Sequence, residues 1–164
     1  MVLAAVPSKA LALLIAAACS ITSVRASACW DTPTQVAARV YEFHVRVSIA
    51  ELRCHAINRP IDAPLIGYYA RYRQQIEAAE AHLKGKLVDD SGGGRAALNQ
   101  YMSGLGNRYG ADKSSASFCE SLRDMLTELA KPESTEDDLH TYALLLVREP
   151  LIYGLCAKLA PAGS

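Results

Sequence analysis

The stretch TPTQVAARVYEFHVRVSIAELRCHAI, residues 32–57, decides the fold. Thr32 is a favoured capping residue and Pro33 suits the first helical position, so a helix is predicted from here to about Ile57. Its apolar side chains form two faces, roughly opposite each other. One face holds Val36, Val40, Phe43, Val47, Ala50 and Cys54, and the other holds Tyr41, Val45, Ile49 and Leu52. A helix that is apolar on two sides is expected to lie centrally, packed between neighbours.

The remainder of the chain also has helical periodicity, and no strand-like alternation is long enough to matter. The predicted fold is therefore all-α, an up-and-down bundle of five to six helices. A second helix follows Pro64 and ends in the turn at 89–94, and Tyr68 is expected to point away from its apolar stripe as an exposed anchor. The third helix is short and is expected to fray into residues 104–110. The fourth covers about 115–130, the fifth begins at Ser134 or Thr135, and a short last helix is expected over 151–160.

The first 28 residues have the pattern of an export signal. Lys9 precedes an apolar run over 10–18, and Ala26-Ser27-Ala28 forms a small-residue cleavage site just before Cys29. The apolar run is shorter than the roughly 20 residues that a membrane span needs. The chain is thus predicted to have a signal peptide over 1–28 and a single helical domain over 29–164, with no transmembrane segment in the mature chain and a periplasmic or secreted location.

The charge of the mature chain is near balance. The full chain has 17 basic and 17 acidic residues, and cleavage removes Lys9 and Arg25, which leaves a net charge of −2. This argues against a nucleic-acid partner, which requires a strongly basic face. The chain also lacks C-x-x-C, C-x-x-C-H, G-x-S-x-G, H-E-x-x-H and EF-hand motifs, so neither a cofactor nor a catalytic residue is predicted.

The mature chain keeps four cysteines, and an even number in an exported domain indicates two disulfides. Cys29 and Cys54 lie at opposite ends of the first helix, roughly 35 Å apart, whereas a disulfide needs Cα atoms within about 7 Å. An up-and-down path brings Cys119 to Cys54 and returns Cys156 toward Cys29. The predicted pairs are therefore Cys54–Cys119 and Cys29–Cys156. In the alternative interpretation Cys29 is lipid-anchored, although Ala26 stands where the usual lipidation signal has Leu.

A polar strip on the first helix could bind a metal. His44, Ser48, Glu51 and His55 share one side, between the two apolar faces. Only Glu51 and His55, one turn apart, could share an ion, and a third ligand would have to come from elsewhere. The same pair is equally an ordinary helix-stabilising i,i+4 pair.

A second strip on this helix contains Arg39, Glu42, Arg46 and Arg53, with the arginines at heptad spacing. Three guanidinium groups on one side could hold an anionic ligand or an acidic partner surface. They could equally pair with glutamates of a neighbouring helix or face water. Arg39, Arg46 and Arg53 are thus the candidate partner-binding residues.

The start Cys29-Trp30-Asp31-Thr32-Pro33, the Ala/Val-rich helix and the later Leu52-Arg53-Cys54 are similar to short exported helical proteins of some alphaproteobacteria. The resemblance covers mainly residues 29–60 and implies compartment and fold class, but no activity. The expected function is an exported, non-enzymatic accessory protein that binds another envelope or secreted protein. The alternative is a periplasmic bundle that binds a small ligand or metal through Glu51 and His55.

Overall fold

The computed structural model describes residues 30–91 and 95–151, with the side chains of all of these except residues 89–91. These ranges contain five helices and no strand, which confirms the prediction of an all-α fold. The helices are α1 Thr32–Ala56, α2 Asp62–Ser91, α3 Arg95–Gly110, α4 Ala116–Leu129 and α5 Glu136–Leu146. The predicted signal peptide over 1–28, both members of the predicted pair Cys29–Cys156, and the last short helix beyond Leu151 lie outside the described residues.

The start of α1 differs by one residue from the prediction. Asp31 rather than Thr32 is the N-cap, and its carboxylate accepts a 3.0 Å hydrogen bond from the backbone N–H of Thr34. The helix ends where Asn58 adopts a positive φ of 56°, a left-handed conformation that asparagine tolerates better than most residues. The backbone N–H of Arg59 then bonds to the carbonyl of Cys54 at 2.8 Å and closes the turn.

The α1 helix occupies the centre of the described fold, as its two apolar faces predict, because it packs against α2, α3, α4 and α5. Phe43 and Val47 from one face and Tyr41 from the other are buried, whereas Leu52, at the end of the second face, is 68% exposed. The neighbouring α2 runs antiparallel to it. Thr34 near the start of α1 contacts His82 near the end of α2.

The apolar stripe predicted on α2 is buried along most of its length, but the buried sector is wider than one stripe. Tyr68, predicted to be an exposed anchor, is fully buried and packs edge-on against Phe43 with ring centroids 5.7 Å apart. The reason is that α1 and α4 both pack on α2 and cover two adjoining sides of it. On the α4 side, a Cβ at Gly67 would come within 2.8 Å of the Ala130 Cβ, so only glycine permits this approach.

The α3 helix continues through the segment that was expected to fray, and it reaches Gly110. Tyr101, Leu105 and Tyr109 recur every four residues and are all buried. Each glycine in a helix interior costs about 1 kcal/mol relative to alanine. Burial of these three large side chains outweighs that cost, a balance that local sequence signals do not reveal.

A disulfide joins Cys54 at the end of α1 to Cys119 in the first turn of α4, with the Cα atoms 5.7 Å apart. This confirms one of the two predicted pairs. Of the two caps predicted for α5, Ser134 and Thr135, the structure has Thr135, which exchanges hydrogen bonds with Asp138 in a capping box. None of the five helices combines the length and apolar character needed to cross a membrane.

Replacing Cys54 and Cys119 together by serine is expected to lower the free energy of unfolding by about 4 kcal/mol. The bridge closes a loop of 65 residues, and its loss frees the unfolded chain to occupy more conformations. Urea unfolding followed by circular dichroism measures the change. An unaltered unfolding midpoint in the double variant would contradict a stabilising role for this bridge.

Candidate functional site: a cationic cleft backed by a buried glutamate

Two of the three candidate arginines on α1 bind the ends of other helices. Arg46 donates a hydrogen bond to the carbonyl of Leu146, the last residue of α5. Arg53 donates one to the carbonyl of Gly110, the last residue of α3. The final carbonyls of a helix lack partners and carry partial negative charge, so a cation there is stabilising. Arg46 and Arg53 thus bind helix ends, a role that their heptad spacing does not predict.

Around these arginines lie two cavities that share Arg46, Tyr109 and Asp112. One, of about 580 Å³, is bordered by α1, the end of α3 and the end of α5. The other, of about 170 Å³, extends toward the start of α4. We call the two together the cationic cleft, because basic side chains dominate its lining. The charged lining residues are Arg46, Arg53, Arg108, Lys113 and Arg148 against Asp112 and Glu149.

The guanidinium groups of Arg46 and Arg53 are held in place by their bonds to the helix ends, and Arg46 does not use all of its donors. Arginine carries five N–H groups, and the Nε of Arg46 is buried without a hydrogen-bond partner among the described residues. The hydroxyl oxygen of Ser114, in the smaller cavity, is in the same situation. Asp112 lies 3.9 Å from Arg46, too far for a direct hydrogen bond. Arg46 and Ser114 therefore have hydrogen-bonding capacity that the described residues do not use.

Arg39 does not join this cleft, although the heptad spacing placed it with Arg46 and Arg53. It lies beside Ala143 and Leu144, in a separate cavity. The α5 helix packs along α1 and ends at Leu146. Arg39 is therefore beside the body of α5, whereas Arg46 lies at its last turn.

Behind the cleft is Glu42, which the sequence analysis placed on the charged strip but which is completely buried. Its carboxylate accepts hydrogen bonds from the Tyr101 hydroxyl at 3.0 Å and from the Tyr109 hydroxyl at 2.9 Å. It also accepts one from the backbone N–H of Leu151 at 2.6 Å. One side chain of α1 thus holds two turns of α3 and the segment that follows α5.

Removal from water raises the pKa of Glu42, while its three hydrogen bonds and the nearby Arg108 act in the opposite direction. Burial and the neighbouring carboxylate raise the pKa values of Tyr101 and Tyr109, so both hydroxyls keep their protons and remain donors. The guanidinium carbons of Arg46 and Arg108 lie 5.5 and 5.8 Å from the Tyr109 ring centroid. Glu42 therefore positions a tyrosine that forms a wall of the cleft.

The sequence did carry a signal for Glu42. Ala38, Val45 and Ile49 lie four residues before it and three and seven residues after it, so Glu42 falls on an apolar side of α1. Arg39 and Arg46 lie three residues before it and four after it, so Glu42 borders both this apolar side and the charged strip, and it needs buried partners if it turns toward the apolar side. The hydrogen-bond donors that Glu42 meets depend on how α3 packs against α1. The residues near Glu42 in the sequence do not determine that packing.

The predicted metal pair is split between two environments, since Glu51 is partly buried and His55 is exposed. Within residues 30–91 and 95–151, no three His, Cys, Asp or Glu residues are grouped so that they could hold a metal ion. Elsewhere on the strip, His44 packs edge-on against Tyr69 with ring centroids 5.0 Å apart, and burial lowers its pKa. Metal binding by Glu51 and His55 stays a prediction.

Comparison of the chain with protein-family models, with curated proteins and with solved structures finds no match. The function is therefore inferred from the geometry of the cleft.

Replacing Glu42 by alanine is expected to lower the free energy of unfolding by roughly 3 kcal/mol or more, because two buried hydroxyls and the half-buried N–H of Leu151 lose their acceptor. Glu42→Gln is expected to cost less than about 1 kcal/mol. Its amide oxygen can accept the bonds from Tyr101 and Leu151, and its amide N–H can donate to the Tyr109 oxygen.

The wild type and Glu42→Gln should also differ in how their free energy of unfolding depends on pH. The folded-state pKa of Glu42 is raised, so in the wild type its contribution is most favourable at low pH. Stability falls as the pH rises from about 4.3, the pKa of an exposed glutamate, through the raised pKa of Glu42. Glu42→Gln lacks that fall. Urea titrations from about pH 4 to 8 measure the free energy of unfolding of the wild type and of Glu42→Gln. A difference between these two values that does not change with pH would contradict a raised pKa for Glu42.

Proposed function

We propose that this chain is an exported, non-enzymatic accessory protein that binds an acidic segment of another exported or envelope protein in the cationic cleft. The observation that carries this proposal is the lining of the two cavities. Five basic side chains face two acidic ones there, in a mature chain predicted to be slightly acidic as a whole. Such a local excess of positive charge attracts and orients a negatively charged partner.

The division of the cleft suits a segment with more than one carboxylate. Arg46 borders both cavities, Arg108 and Arg148 line the larger one, and Arg53 and Lys113 line the smaller one. Each cavity can therefore receive a separate acidic side chain. Because hydrogen bonds to helix ends already immobilise Arg46 and Arg53, binding costs little additional side-chain entropy.

An exported location is supported by the signal-like residues 1–28 and by the disulfide Cys54–Cys119, since such bonds persist in oxidising compartments. We also infer the up-and-down bundle and the second bridge, Cys29–Cys156. The second pairing rests on the even number of cysteines in the predicted mature chain and on the return of the chain after Pro150 that the up-and-down path predicts.

The proposal is tested by photo-crosslinking in the exporting cell. A photoreactive amino acid replaces Glu149, which lines the cleft, or Asp124, an exposed residue of α4 that serves as the control position. Crosslinking from position 149 is expected to give one defined product, and mass spectrometry should place the link in an Asp/Glu-rich segment of an exported protein. Position 124 should not give this product.

Charge-reversal variants then test whether the partner binds in the cleft or at another part of the surface. Lys113→Glu with Arg148→Glu is expected to reduce the product from position 149 at least tenfold. The matched pair Arg73→Glu with Arg95→Glu, exposed residues outside the cleft, should leave it unchanged. An equal product from both crosslinking positions, or a product that survives the first pair of reversals, would contradict the proposal.

A further inference from the structure

A second concave surface lies where α1, α2 and the start of α5 meet, away from the cationic cleft. It is a groove of about 780 Å³, within the range of about 300–1,000 Å³ that is typical of small-molecule sites. Its floor is apolar and its edges are polar. The apolar lining residues are Pro33, Val36, Ala37, Val40, Ala78 and Ala79.

The groove continues into a smaller cavity of about 130 Å³, and the two share Val36, Val40 and His140. Leu144 lines this extension and is 52% exposed, which adds apolar surface that water now contacts. Burial of that surface beneath an apolar ligand would be favourable. An elongated apolar group can therefore lie along α1 from the groove into the extension.

One arginine, Arg39, lines the extension. The Nε of its guanidinium is buried without a hydrogen-bond partner in the described part of the chain. In the groove itself, the side-chain oxygen of Gln75 is also buried and unpartnered. The acidic residue at the edge, Glu136, lies 3.6 Å from His140. An arginine with an unused donor beside an apolar floor is complementary to an anionic head on an apolar chain.

We propose that this groove binds a single-chain amphiphile, with the apolar chain on the floor between α1 and α2 and a carboxylate or phosphate head on Arg39. This site is independent of the cationic cleft and of the function proposed for it. A planar carboxylate and a tetrahedral phosphate both offer oxygen acceptors to the guanidinium of Arg39. The apolar floor of the groove suits the chain of either amphiphile.

Calorimetric titration of the mature chain tests the proposal with three ten-carbon probes, decanoate, decyl phosphate and decanol, each below its micelle concentration. One or both anions are expected to bind with a stoichiometry of one, and decanol at least tenfold more weakly. The stronger anion identifies the head-group class. No saturable binding of either anion, or equal binding of decanol, would overturn the proposal.

Variants locate the site. Ala78 lines the groove and is exposed, so Ala78→Phe should fill the groove without disturbing the core and should abolish binding. Ala70→Phe, at an exposed position of α2 outside the groove, is the control and should bind normally. Arg39→Gln should bring decanoate and decyl phosphate to the level of decanol, while Arg95→Gln should not.

Undiminished binding by Ala78→Phe would place the ligand elsewhere and would overturn the proposal. A dimer in light scattering that Ala78→Phe converts to a monomer would assign the groove to a second copy of the chain, and it would overturn the proposal as well.

Discussion

The carboxylate of Glu42 has no access to water, so every hydrogen bond that it accepts must come from the protein. The two tyrosine hydroxyls come from α3, and the third donor is the backbone N–H of Leu151, beyond α5. A single buried charge on the central helix thus determines how two later parts of the chain lie. If any of the three donors were displaced, the carboxylate would lose part of its compensation for desolvation.

Two arginines of α1 also join this helix to later parts of the chain, nearer to the surface. Arg46 and Arg53 lie one and three turns further along the helix and bind the last carbonyls of α5 and α3. The disulfide at Cys54 then holds the start of α4 beside them. The cationic cleft is therefore a consequence of how the helix ends are joined to α1, and the same bonds hold two of its arginines, Arg46 and Arg53.

The two concave surfaces lie at different ends of the contact between α1 and α5. The cationic cleft lies at the end of α5 and is lined by charged groups, whereas the groove lies at its start and is mainly apolar. Arg39 belongs to the second surface, although its spacing from Arg46 places it on the same strip.

Local patterns determined the five described helices, the central place of α1, the proline in the first turn of α1 and a cap for α5 at Ser134 or Thr135, because periodicity, proline and capping chemistry act over a few residues. Sequence reasoning also identified the pair Cys54–Cys119, since helix length excludes Cys29–Cys54 and an up-and-down path brings Cys119 to Cys54. Only the tertiary structure decided that Glu42 is buried, that Tyr68 is covered by α1, and that α3 continues to Gly110. These outcomes depend on which distant side chains lie opposite each residue, and local spacing along one helix does not contain that information.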